Sequence, residues 1–192
     1  QLSKLVNVPL SIDTYKPEVM RAAIAAGADM VNDVRALQEP GALQIVAASQ
    51  VGVCLMHMQG TPKTMQLDPQ YADVVSEVKA FLSERLTAVK AAGIAPQRVL
   101  LDPGFGFGKR TVHNIALLQQ LPSIAALGQP LLVGLSRKSV LGKITGGDVY
   151  VRLHASLAAC VISVMKGARI VRVHDVKATA DALKVVAAVE KK

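Results

Sequence analysis

Six times along this chain a short apolar run ends on a polar residue or a glycine and gives way to a stretch of helical period. The runs are Leu10-Ser-Ile before Asp13, Met30-Val31 before Asn32 and Asp33, Val51–Met56 before His57, Val99–Leu101 before Asp102, Leu131–Val133 before Gly134, and Ile170–Val173, which carries Arg172 and leads to His174 and Asp175. The spacing predicts helices over Pro17–Ala26, Gly41–Gln50, Tyr71–Ala92, about Val112–Gln120, Val151–Lys166 and Lys177–Val189. Proline at the first turn (Pro17) and glycine after the end (Gly27, Gly93, Gly167) are the expected helix boundaries. Strands alternating with helices require a parallel sheet covered by those helices.

Two architectures meet that requirement, an open doubly wound sheet and a (β/α)8 barrel. The glycine fingerprint of dinucleotide-binding open sheets is absent after the first strand. Polar residues close nearly every strand instead: Asp13, Asn32, His57, Asp102, the Ser136–Ser139 tip, Arg172 and His174. An active site assembled from many strand ends is the barrel pattern. The expected fold is therefore α/β, of (β/α)8 barrel type, with about six of the eight units present. At 192 residues the chain is one domain, shorter than the roughly 250 residues of a full barrel.

Composition removes other classes. The formal charge of +8 suits an anionic partner, but basic residues are scattered and only 3% of residues are aromatic, so nucleic acid is not expected. Cys54 and Cys160 lie inside apolar runs and read as buried free thiols, which fits a reducing cytoplasm. No apolar run is long enough to span a membrane, and no signal peptide is evident.

The loop Asp102-Pro-Gly-Phe-Gly-Phe-Gly-Lys109 is the most unusual stretch. Its glycines let backbone approach a ligand. It is not a Walker A loop, because Arg110 stands after Lys109 where Ser or Thr is needed. No His-x-x-x-His pair suggests zinc. The strand tips offer acceptors (Asp13, Asn32, Asp102) and cationic donors (Lys138, Arg172, His174). That set suits a planar heterocycle with paired N–H groups joined to an anion. Ser139 precedes a helical region whose backbone N–H groups suit a carboxylate or phosphate. Each residue also has a plain structural reading. Asp13 reads as a cap for the helix at Pro17, Asn32-Asp33 as a turn and Asp102 as a capping turn. His57 reads as a partner for local backbone, and Lys138 and Arg172 as solvated charges.

Together the tips resemble the dihydropteroate synthases of the pterin-binding barrel family. The matching stretches are Ser11-Ile-Asp-Thr-Tyr-Lys-Pro, Val31-Asn-Asp, Met56-His-Met-Gln-Gly60, Leu101-Asp-Pro-Gly-Phe-Gly-Phe-Gly-Lys, Val133-Gly-Leu-Ser-Arg-Lys-Ser and Val171-Arg-Val-His-Asp, in family order. The resemblance implies condensation of 6-hydroxymethyl-7,8-dihydropterin pyrophosphate with p-aminobenzoate in folate biosynthesis, a sulfonamide-sensitive step. It implies that Asp13, Asn32, Met56, Asp102, Gly134, Lys138 and Arg172 bind the pterin, that Phe107 and Ser139 bind the aminobenzoate, and that Arg172 and His174 bind pyrophosphate. Lys138, Arg172 and His174 are then the catalytic set. It also implies a magnesium ion, a homodimer and a cytoplasmic setting. The family's first two units, which carry the Asn that helps hold magnesium and two mobile loops, have no counterpart here. An N-terminally truncated synthase is expected, with the pterin pocket encoded and its catalysis an open point. Gly146-Gly-Asp-Val-Tyr-Val-Arg152 departs from the family pattern. The alternatives are a methyltetrahydrofolate-dependent methyltransferase on the same pterin floor, and a non-catalytic pterin-binding fragment. The Ser-Arg-Lys-Ser and Arg-Val-His-Asp tips favour the synthase, since they suit an anionic leaving group and a carboxylate.

Overall fold

Apolar runs three to five residues long cannot bury themselves alone, and here they pair edge to edge. The computed structural model describes residues 2–190. Its strands are β1 (Ser11–Asp13), β2 (Met30–Asp33), β3 (Gly52–Met56), β4 (Val99–Asp102), β5 (Leu131–Val133) and β6 (Ala168–Val171). Its helices are α1 (Pro17–Ala25), α2 (Ala42–Ala47), α3 (Val74–Ala91), α4 (Thr111–Gln119), α5 (Leu121–Ala125), α6 (Ser139–Thr145), α7 (Leu153–Met165) and α8 (Val176–Val189). All six strands are parallel and neighbour one another in chain order. The sheet curls so far that Arg172, just past β6, ion-pairs with Asp13 at the end of β1. This is a (β/α)8 barrel sheet with six of its eight units.

The period of two sorts the side chains. Val31, Val53, Leu55, Val99, Leu101, Leu131 and Val133 join the helices in the main core, with Met20 of α1, Val78 and Leu82 of α3 and Leu117 of α4. The opposite face carries the polar residues. Asp13 pairs in register with Asn32, and Asn32 with Cys54. Cys54 pairs with Leu100, and Asp102 follows two residues later on the same face. The barrel interior is thus polar at its C-terminal end because of strand register.

Several boundaries differ from the expectation. α3 begins at Val74, not Tyr71, because the Asp73 carboxylate caps it by accepting from the Val75 N–H at 3.0 Å. Tyr71 instead donates its hydroxyl to the Gly108 carbonyl at 2.7 Å. α2 spans only Ala42–Ala47. β6 starts two residues early, since Gly167 turns at φ 105° directly into the strand. One short helix, α5, was not expected, and the helical region beginning near Ser139 is the short α6. α5 has a proline in its first turn, and α6 fills the segment between Lys138 and Gly146. The atypical segment at 146–152 forms a short 3-10 turn, Val149–Val151, with Tyr150 exposed. Both cysteines are free and buried. Among the described residues no helix is long and apolar enough to cross a membrane.

Candidate active site

The floor is set by β2 and β4. Asn32 is buried, and its side-chain oxygen Oδ1 has no hydrogen-bond partner. A buried unpaired acceptor is costly, so such an atom points to a ligand donor or a water. Asp102 is equally buried. It accepts from the Gly104 N–H at 2.7 Å through Oδ1, its only side-chain hydrogen bond among the described residues, which leaves Oδ2 for a ligand. Burial raises the Asp102 carboxyl above its ordinary range, against the pull of Lys138, the Gly104 N–H, Lys109 and Arg172. Asp102 is therefore both a turn-capping carboxylate and a candidate site residue. Asp13 is not the cap of α1. Its carboxylate meets Arg172, while Lys16 occupies the cap position without side-chain help.

The loop after β4 forms one wall. Gly104 has φ +70°, and a Cβ there would stand 1.8 Å from the His57 carbonyl oxygen. Only glycine allows β4's loop to lie flush on the end of β3. Phe105 is fully buried, whereas Phe107 is half-buried at the mouth. The Lys138 ammonium sits 4.5 Å above the Phe107 ring and donates to the Phe105 carbonyl. Burial lowers the Lys138 ammonium to about 8, with Asp102 opposing the shift. Lys138 is thus no freely solvated charge. It ties the loop to the start of α6, where Ser139 is the first helical residue and is exposed.

The rim is an anion-sized pocket of about 260 Å³ lined by Gly134, Ser136, Lys138, Arg172, Val173 and His174. Space remains above Gly134, where a Cβ would stand 3.8 Å from Arg172 Nε. Asp13, Asn32, Asp102, Lys138, Arg172 and His174 accordingly lie at the C-terminal mouth of the barrel. Met56 lies beneath Gly104, in register with Asp102 on the neighbouring strand.

Other residues hold the site through contacts that the sequence does not show. Lys109 is 4% exposed and donates to His57 Nδ1, the Gly104 carbonyl and the Phe107 carbonyl, each at 2.9 Å. Asn114 of α4 accepts from the Gly106 N–H at 2.7 Å and donates to the Arg110 carbonyl at 2.8 Å. Arg137 makes a bidentate pair with Asp175 at 2.9 and 2.6 Å. Ser136 contacts His174. The one available signal was a lysine at the end of a glycine run. Ser136 and Arg137 belong to the polar tip after β5, and Asn114 lies in ordinary helical sequence.

Among the described residues no three His, Cys, Asp or Glu side chains stand together as a ligand set. The Asn that the resemblance gives to magnesium belongs to the two units that have no counterpart here.

Residues 1–174 match the family described as pterin binding enzyme. The chain is 55% identical over 185 residues to the dihydropteroate synthase of Neisseria meningitidis serogroup B, which covers 93% of this chain and 65% of that one. It is 49% identical over 187 residues to that of Escherichia coli K12, covering 97% of this chain and 66% of that one. It thus spans about two thirds of the length of these curated relatives. A solved structure of dihydropteroate synthase from Stenotrophomonas maltophilia, with imidazole bound in its active site, superposes with a TM-score of 0.96 at 56% identity, covering 98% of this chain and 72% of that one. The Xanthomonas albilineans enzyme in complex with 7,8-dihydropteroate gives 0.93 at 51%, covering 100% and 72%.

Proposed function

The chain belongs to the pterin-binding enzyme family, and on that premise we propose that it carries the pterin floor and anion rim of a dihydropteroate synthase. The observation that carries this reading is the pair of open acceptors at the floor, Asn32 Oδ1 and Asp102 Oδ2. A dihydropterin edge presents an amino group and ring N–H donors in one plane, and a carboxylate beside an amide oxygen accepts them. The Asp102 charge also favours a positive ring system above it. The solved Xanthomonas albilineans complexes hold 7,8-dihydropteroate and 4-aminobenzoic acid, and a Yersinia pestis relative holds a sulfonamide drug. The same ligand classes are proposed for this chain.

In the proposed reaction the pterin lies on Asp102 and Asn32, with the planar Arg172 guanidinium against its face. Its pyrophosphate enters the rim of Lys138, Arg172 and His174. The carbon–oxygen bond to pyrophosphate breaks, and the electron pair leaves with the phosphate oxygen. Positive charge develops on the exocyclic carbon and spreads into the ring, where Asp102 stabilises it. The amine of p-aminobenzoate then forms the carbon–nitrogen bond and releases a proton. Phe107 walls that second ring, and Ser139 at the start of α6 faces its carboxylate. No protein nucleophile is required, so positioning and charge carry the catalysis.

Dihydropteroate formation from the two substrates tests the reading, alongside calorimetric titration with a dihydropterin ligand. Pterin binding with product formation supports the whole proposal. Pterin binding without turnover supports the floor and assigns a pterin-binding role alone. Absence of pterin binding rejects it.

A further inference from the structure

One hydroxyl at the rim has both of its protein partners on a single residue. Ser136 is 6% exposed, and its Oγ lies 3.2 Å from the backbone nitrogen of His174 and 3.0 Å from Nδ1 of the same residue. The backbone N–H can only donate, so Oγ accepts there. A hydroxyl then has one proton left to place. Among the described residues Nδ1 is the sole acceptor in its reach. Donation to Nδ1 satisfies the buried hydroxyl, and the reverse arrangement leaves its proton without a protein partner among the described residues. A neutral imidazole that accepts at one nitrogen carries its proton on the other.

We propose that Ser136 is a positioning residue that holds His174 in the Nε2–H tautomer, so that the ring offers the rim pocket an N–H donor for a phosphate oxygen. This rests on the reading of His174 as part of the anion site. The opposite tautomer would turn a lone pair toward the anion and repel it. A second clasp keeps the geometry in place. Arg137 and Asp175, the residues that follow Ser136 and His174, hold each other through two hydrogen bonds. The loops after β5 and β6 therefore stay together when the Ser136 hydroxyl is removed, and S136A is a local change.

The tautomer is read directly by long-range proton–nitrogen NMR of the imidazole rings in the full chain, with H174N identifying the His174 signals. The expected wild-type spectrum has an unprotonated Nδ1 and a protonated Nε2. S136A is expected to give a mixture of tautomers, and S136T, which keeps the hydroxyl, to restore the single form. Inorganic pyrophosphate is expected to bind S136A about tenfold more weakly than wild type, the loss of one hydrogen bond to a charged group. A wild-type ring protonated on Nδ1 overturns the proposal without any variant. So does an S136A spectrum identical to wild type, or equal pyrophosphate affinity in the two chains. Pyrophosphate that fails to bind the wild-type chain instead overturns the anion-site reading, and is told apart by a tautomer still locked in the spectrum.

Discussion

The Lys109 ammonium donates to Nδ1 of His57 across 2.9 Å, with both side chains almost wholly buried and, among the described residues, no carboxylate within bonding distance. Burial, and then the charge of Lys109, lowers the His57 imidazole to about 3, so the ring is a neutral acceptor. Burial lowers the Lys109 ammonium from its ordinary 10.5 to about 7. The folded chain therefore holds fewer protons at Lys109 than the unfolded chain between about pH 7 and 10.5. Stability from this group rises with pH across that window, by up to about 1.4 kcal/mol per pH unit, and is flat below it. Urea unfolding of wild type and K109M from pH 6 to 10.5 checks this. Their difference is expected to shift toward wild type as pH rises above 7. His57 acts in the acid range, where its contribution is lost as pH falls from 6.5 toward 3.

Asp102 opposes folding and serves binding. Burial raises its carboxyl, so the charged form costs the folded state free energy, and that cost grows as pH rises above the ordinary carboxylate value. Its amide isostere keeps an oxygen for the Gly104 N–H. D102N is therefore expected to raise the melting temperature of the ligand-free chain at pH 7. Dihydropterin affinity is expected to fall by about 1–3 kcal/mol, since a charged acceptor is lost. Calorimetry reads both. A variant that binds pterin as tightly as wild type removes Asp102 from the site.

The barrel class was legible because nearly all of the six apolar runs ended on a polar residue, a pattern that strand register converts into a single polar face. Asp13, Asn32 and Asp102 were legible for that reason. Lys109 was not. Its role depends on three acceptors supplied by His57, Gly104 and Phe107, and their meeting depends on how the two loops stack. The β6 boundary was missed because Ala168 and Arg169 look like the end of a turn, yet Gly167 at positive φ starts the strand at once. The extent of α6 was not legible because Gly142 within it and Gly146 and Gly147 after it mimic a loop. Its course is held by Arg152, which donates to the Gly147 and Arg137 carbonyls at 3.3 and 3.0 Å.

Glycines in the β4–α4 loop are unequal. A methyl at Gly104 meets the His57 backbone oxygen at 1.8 Å, and backbone cannot swing aside. A methyl at Gly106 meets Lys138 Cδ at 3.1 Å, the flexible part of a side chain. Both positions have positive φ. G104A is expected to cost about 3 kcal/mol or more, and G106A about 1–2 kcal/mol, the ordinary strain of a left-handed alanine. Denaturant midpoints of the two variants test the order, and an equal or reversed ranking rejects the close approach of the loops.

Asp13 and Arg172 join the two ends of the sheet, and their pairing invites a structural reading in which the bridge closes the barrel. Exposure argues otherwise. Their side chains are 47% and 52% exposed, and ion pairs so open to water contribute about 0–1 kcal/mol. D13N is therefore expected to change the unfolding free energy by less than about 1 kcal/mol. Binding is another matter, because both groups stand at the mouth where a pterin is proposed to lie. There Asp13 would exchange Arg172 for a ligand N–H, and Arg172 would be released to cover the ring. Dihydropterin affinity is expected to fall about tenfold in D13N, the loss of one charge-assisted hydrogen bond. Urea titration and calorimetry on the same variant separate the two roles. A large stability loss with unchanged affinity assigns the pair to closing the sheet and takes Asp13 out of the pterin site.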